Sequence, residues 1–305
     1  MAIIEGIADL KKVVKINASM PFESIEPYIN DAADIYLLPY VGEQVMAAAE
    51  GDDTLKEKVS RALGPLSLAL ATDELGIMYG DAGITVQNEQ GKRSPAKDAK
   101  IQAAKENLMM RGMMALDRLM DWMRNHAEQY QSFIELDREA AAGCFVRSAI
   151  NYQEEGCVFI DSSTIAYRQL LPVMKQLQTS DIRPLLTEEV FGKLLENREL
   201  NPKQTVLRYF IVLYLANKSA GLFTSQNSRR QRQGSRVAPE FQPVVRPVYT
   251  DQDDSVNFFL KQADFYMSQI RGLISSDAEE LGLPVPESGL MNYNGKEHKF
   301  VTSIL

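Results

Sequence analysis

The sequence predicts a mainly α protein: two tandem, related helical units, each with a short extended or β element, followed by an extended C-terminal tail. Three observations predict it. Apolar residues recur every three or four positions through most of the chain, the second half repeats the element order of the first, and the character of the chain changes after residue 280. The boundaries fall at 1–20 for an N-terminal segment, 21–135 and 136–280 for the two units, and 281–305 for a linker and C-terminal arm.

Residues 9–14 read as a short helix. Over 22–37, Phe22, Ile25, Ile29, Ala32, Ala33 and Tyr36 share one helical face, and Pro39 stops the helix. A short helix follows at 43–50. A longer one at 54–77 carries a stripe of Leu55, Val59, Leu63, Leu66 and Leu70, with Gly64-Pro65 predicting a kink. Residues 82–87 alternate like a strand, and 88–97 form a polar loop. Ser94 as cap and Pro95 in the first turn open the next helix, which runs through Trp122 toward His126. It carries Met109, Met110, Met113, Met114, Met120 and Met123, which suit an irregular core or an adaptable docking face, the core being the plainer reading.

The second half gives helices at 163–177, 188–196 and 203–222, then a basic loop at 225–235 and an extended, proline-punctuated stretch at 237–249. Asp253 or Asp254 caps a strong helix with Val256, Leu260, Ala263, Met267, Ile270 and Ile274 on a continuous stripe. Two prolines and two glycines make 281–289 a linker. Asn294-Gly295 predicts a tight hairpin turn, ahead of an apolar end that includes Phe300, Val301, Ile304 and Leu305. Those four residues are candidates for a partner-docking arm.

The halves match at a constant shift of 147, with Asp34-Ile35 on Asp181-Ile182 and Lys56, Val59, Arg61 and Leu66 on Lys203, Val206, Arg208 and Leu213. Leucine stripes align readily, but the Asp-Ile and Arg matches do not follow from periodicity, and they predict a duplication.

Composition narrows the function. No apolar run reaches the roughly 18 residues that span a bilayer, and the first ten residues lack a secretory pattern, so no membrane partner is expected. Cys144 and Cys157 are too few for a disulfide scaffold; they could lie close in space, though two buried thiols are the plainer expectation. A net charge of −8 argues against wrapping nucleic acid over a broad surface while leaving room for a local basic patch.

No enzyme site stands out. The two histidines, His126 and His298, lie far apart, and no glycine-rich loop or metal-ligand spacing is present. Glu154-Glu155, Glu188-Glu189 and Glu279-Glu280 are adjacent carboxylates, which diverge on a helix and read as solvated faces. The charged feature with most chemistry is Arg229, Arg230, Arg232 and Arg236. It reads either as a flexible arginine loop that contacts phosphate, or as a loop that is solvated or pairs with an acidic neighbour in an oligomer; no aromatics are interleaved for base stacking. No cofactor is expected.

Asp9-Leu10-Lys11-Lys12-Val13-Val14, Phe22-Glu23-Ser24-Ile25-Glu26-Pro27-Tyr28-Ile29 and Leu37-Leu38-Pro39-Tyr40-Val41-Gly42 resemble a family of proteins encoded among tailed-phage and prophage structural genes. Residues 161–171 and Asp181-Ile182-Arg183-Pro184-Leu185-Leu186 resemble its second unit. That family is similar to the head–tail connector, or adaptor, proteins of tailed phages, although typical connectors hold one helical unit rather than two. The resemblance implies a non-enzymatic virion protein, made in the host cytoplasm, that forms a homo-oligomeric ring between the portal protein and the tail or further connector proteins, around the DNA. The alternatives are another tail-completion or assembly protein, and a helical nucleic-acid-binding protein using the 229–236 loop.

Overall fold

Side-chain caps at Asp52, Ser148, Ser163 and Thr187, and first-turn prolines at Pro27 and Pro39, set several helix starts. In the computed structural model, residues 3–16, 20–72, 74, 77–80, 83–86, 98–232 and 252–284 are described, with 77–80, 83–86, 98–99, 226–232 and 252–255 given as backbone alone. The first half runs α1 (Ile7–Val13), α2 (Glu26–Ala32), α3 (Leu38–Val41), α4 (Glu43–Ala48), α5 (Asp53–Ala71), α6 (Asp98–Asn125) and α7 (Gln131–Ala141). Between α5 and α6, β1 (Ile77–Gly80) and β2 (Gly83–Val86) pair antiparallel with Ile77 opposite Val86. The second half runs α8 (Ala149–Glu154), α9 (Thr164–Leu177), α10 (Glu188–Glu196), α11 (Pro202–Arg232), α12 (Gln252–Ser276) and α13 (Ala278–Leu281).

The protein is mainly helical, as its periodicity predicts. Several boundaries move. The strand-like stretch expected at 82–87 is the second half of a hairpin, and Ile77, expected at the end of a helix, begins that hairpin. The helix expected over 22–37 is a 3₁₀ turn (Phe22–Ser24), then α2, then a π-helical turn (Ala33–Leu37). Pro65 lies inside α5 without ending it. Part of the segment expected to be a linker is packed: Leu281 and Leu283 are buried, while 285–305 lie outside the described residues.

Two apolar cores form. The first gathers buried residues from Ile3 to Phe133 together with Ile165, the second the other buried residues from Ala141 to Leu283. In each, one long helix lies along another, α5 along α6 and α11 along α12. A glycine marks both pairings: a Cβ on Gly112 of α6 would sit 2.5 Å from Leu66 Cγ, and one on Gly221 of α11 2.9 Å from Leu260 Cδ2. Pro202–Ser225 of α11 is long and apolar enough to cross a membrane by composition, with a mean hydropathy of 1.2. The expectation that no segment reaches that length is corrected here. Its apolar run includes Leu207, Ile211, Val212 and Leu215 of the second core, which is a sufficient physical reason for it.

Local backbone features correspond between the halves, though not at the constant shift of 147 expected of a duplication. The π-helical turn Ala33–Leu37 recurs at Gln178–Ile182, 145 residues on (33 to 178). Each is followed two residues later by a proline, Pro39 or Pro184, whose ring would collide with a carbonyl four residues back, inside the π turn. The wider turn relieves that collision. At this register Ile25, Ile29, Ala32, Leu37, Val45, Met46 and Ala49 fall on Leu170, Met174, Leu177, Ile182, Val190, Phe191 and Leu194, and all are buried. The earlier pairing of Ile35 with Ile182 sets a residue 51% exposed against one fully buried.

Farther on, the register widens to 149 (52 to 201). Asp52 caps α5 by accepting from the Leu55 amide at 3.0 Å, and Asn201 caps α11 by accepting from the Gln204 amide at 2.8 Å. Leu63 and Leu66 then fall on Val212 and Leu215, all buried, whereas the shift of 147 opposes buried Val59 to Val206, which is 42% exposed.

Candidate functional site: the junction between the two halves

The helix α9 begins with Ser163 as its N-cap, whose Oγ accepts from the Ala166 amide at 3.1 Å. The Ser163 hydroxyl then donates to Oδ2 of Asp117, on α6 in the other half, at 2.6 Å. The Ile165 amide donates to Oδ1 of the same carboxylate at 3.1 Å. Asp117 therefore satisfies amide donors that a helix start leaves open, and its negative charge faces the positive end of the helix. Burial pushes the Asp117 carboxyl above the usual range, against these hydrogen bonds. The Ile165 side chain completes the lock by packing into the first core.

One turn along α9, Arg168 reaches the same way. Its Nη2 donates to Asp137 Oδ1 on α7 at 2.8 Å, and its Nη1 donates to the carbonyls of Tyr40 at 3.1 Å and Pro39 at 3.3 Å. The guanidinium lies 5.6 Å from the Tyr40 ring centroid. The Arg168 side chain is only 9% exposed. Asp137 also accepts from Arg124 Nε at 2.9 Å. Burial raises the Asp137 carboxyl, but the two guanidiniums outweigh it and hold the group below the ordinary carboxylate range. A planar guanidinium suits this cluster because it serves a carboxylate and two carbonyls at once. Two turns on from Arg168, Lys175 Nζ donates to the Ala140 carbonyl at 3.0 Å.

These groups could in principle serve as acids or bases, yet their hydrogen bonds go to helix ends and to each other. The arrangement acts as a clamp between α9 and the α3–α6–α7 surface. Sequence reasoning passed over Asp117, Asp137 and Arg168. The only local signals were the Ser163 cap and an arginine set among the apolar residues of α9.

Arg229, Arg230 and Arg232, read as a loop, lie in helical backbone at the end of α11; no proline or glycine interrupts 222–233, so the helix runs on. Arg236 lies outside the described residues, as do Phe300, Val301, Ile304, Leu305 and His298. His126 is exposed, with Nδ1 2.8 Å from the Trp122 carbonyl oxygen. Cys144 is buried but Cys157 is exposed, which corrects the expectation of two buried thiols. The methionine stripe divides: Met109, Met120 and Met123 are buried, while Met110 and Met114 are 39% and 47% exposed. Among the acidic pairs, Glu188 takes two hydrogen bonds from Arg183, and Glu155 pairs with Arg208 at 3.4 Å. No group of three His, Cys, Asp or Glu is placed to hold a metal ion among the described residues.

Residues 9–138 match a family of unknown function, DUF6712. The match begins in α1 and ends within α7, so it covers most of the first core and stops just before the second begins at Ala141. No curated protein and no solved structure matches the chain.

Proposed function

We propose that the chain is a non-catalytic structural subunit of a tailed-phage virion, a head–tail connector that forms a ring between the portal protein and the tail around the DNA channel. It is built from a duplicated helical unit. The observation that carries the reading is the pair of cores sharing one backbone pattern, with matched π turns, prolines and caps, fixed to one another by a buried ionic clamp. A subunit that transmits load between neighbours needs such a fixed relation between its halves. The connector assignment itself rests on the resemblance of residues 9–42 and 161–186 to phage structural proteins, and the family match over 9–138 falls on the first of these.

A closed ring needs two different, mutually complementary edges on each subunit. Two related but diverged halves supply such edges, one from each copy of the unit. The C-terminal segment 292–305 serves as an arm that adds to a neighbouring subunit or to the portal. Pull-down on a tailed-phage portal protein tests this. The full chain should be retained, and a chain lacking 296–305 should remain folded by circular dichroism yet fail to be retained. Retention of the shortened chain would remove the arm from the account.

A further inference from the structure

The first half carries a charged cleft that the connector reading does not use. An open cleft of about 500 Å³ lies between α1, α5 and α6. Five cations line it: Lys12 from α1, Lys58 and Arg61 from α5, and Arg111 and Arg118 from α6. No carboxylate is among the lining residues, and its floor is apolar, with Pro65 and Leu119. This concentration is notable in a chain of net charge −8.

Most of the five are held only lightly. Lys12 pairs with Asp9 and Arg61 with Glu57, but the lysine is 74% exposed and the arginine 63%. Such solvent-screened surface pairs hold weakly and exchange readily for another anion. Lys58 sits 4.9 Å over the Trp122 ring, and Arg111 donates to the Val13 carbonyl at 3.1 Å, which leaves other donors of its guanidinium to face outward. Arg118 is exposed, and no hydrogen bond or ion pair engages it among the described residues.

The shape separates one kind of anion from another. Arg111 and Arg118 stand seven residues apart on α6, which is about 10 Å along a helix. The row is longer than a single phosphate group and fits a repeating polyanion. The lining holds no aromatic ring, so an unpaired base would find nothing to stack on. Contact is therefore to the backbone rather than to bases.

We propose that this cleft binds the phosphodiester backbone of duplex DNA without reading its sequence. The proposal is independent of the ring, because the five cations belong to one subunit. It also places DNA contact in the first half rather than at 229–236.

The test is fluorescence anisotropy of the full chain with a labelled DNA duplex over a range of salt concentrations. Binding at low salt should weaken as salt rises, with a log–log slope of about −4 to −5 if all five cations meet phosphates. Arg61→Ala with Arg118→Ala should weaken binding at least tenfold and flatten the slope by about 2. A second variant, with Arg229, Arg230, Arg232 and Arg236 replaced by alanine, should bind as the parent does. No binding by the intact chain at low salt would overturn the proposal. So would unchanged binding by the first variant, or loss confined to the second. None of these outcomes bears on whether the chain stacks on a portal.

Discussion

The Ser163 hydroxyl donates to the Asp117 carboxylate at 2.6 Å, so the start of α9 in one half is capped by a side chain from α6 in the other. A helix start leaves its first amides without partners, and a residue from its own chain segment ordinarily supplies them. Here that supply crosses from one core to the next. The position of α9 is thereby tied to α6, and with it the relation of the two halves.

That relation makes Arg168 the most sensitive residue of the clamp. Arg168→Ala should lower stability by about 2 to 4 kcal/mol, since it removes three hydrogen bonds and leaves Asp137 with Arg124 alone. Arg168→Lys should recover only part of this, because an ammonium cannot reach a carboxylate and two carbonyls in the fork geometry. Chemical denaturation midpoints measure both. Equal stability of the parent and Arg168→Ala would mean that the clamp contributes nothing.

The pH dependence follows from Asp117. Its folded carboxyl titrates above its unfolded value, so the folded state holds the proton more tightly. Stability contributed by this group therefore falls as pH rises from the ordinary carboxylate pKa of about 4 through the raised folded value. Asp117→Asn does not titrate, and its amide oxygen can still accept from Ser163. Relative to the parent, the variant should gain ground between acid pH and neutrality. A stability difference that stays flat over that range would contradict the assignment. Asp137 runs the other way: its depressed carboxyl contributes stability that is lost as pH falls through the folded value.

Close approach gives a steric prediction. A Cβ at Gly156 would lie 2.4 Å from the Tyr152 carbonyl oxygen and 2.5 Å from Ala216 Cβ. Neither neighbour is the end of a flexible side chain. Gly156→Ala should therefore destabilise the second core by about 1 to 3 kcal/mol. Gly143→Ala meets no atom within 4 Å, but its φ of +70° makes it a control for backbone strain alone.

The cysteines offer a direct check on burial. One thiol, that of Cys157, should react with a maleimide in the native protein, and Cys144 only after unfolding. Burial also raises the Cys144 thiol, which slows it further by keeping it protonated. Two fast thiols in the native protein would contradict the placement of Cys144.

Much of the fold can be read along the chain, because it depends on local periodicity. The helix at Glu188–Glu196 shows its Thr187 cap and apolar face directly, and the stripe holding Ala263 and Ile270 is plain in the spacing. Where readings failed, the cause was specific. Polar residues at 225–232 looked like a loop, although nothing there breaks a helix. A single shift of 147 was read from residue identities, whereas the π turns correspond at 145 and the caps of α5 and α11 at 149. The clamp was illegible for a different reason: Asp117, Asp137 and Arg168 come from three helices, and only folding brings them together. The basic cleft was hidden likewise, its cations spread from Lys12 to Arg118.

The most direct measurement of the connector reading is electron microscopy of the chain assembled with a tailed-phage portal protein. A ring of this subunit stacked coaxially on the portal, with a central channel wide enough for duplex DNA, is the predicted result. Absence of the subunit from portal assemblies, even with the capsid vertex complete, would contradict it.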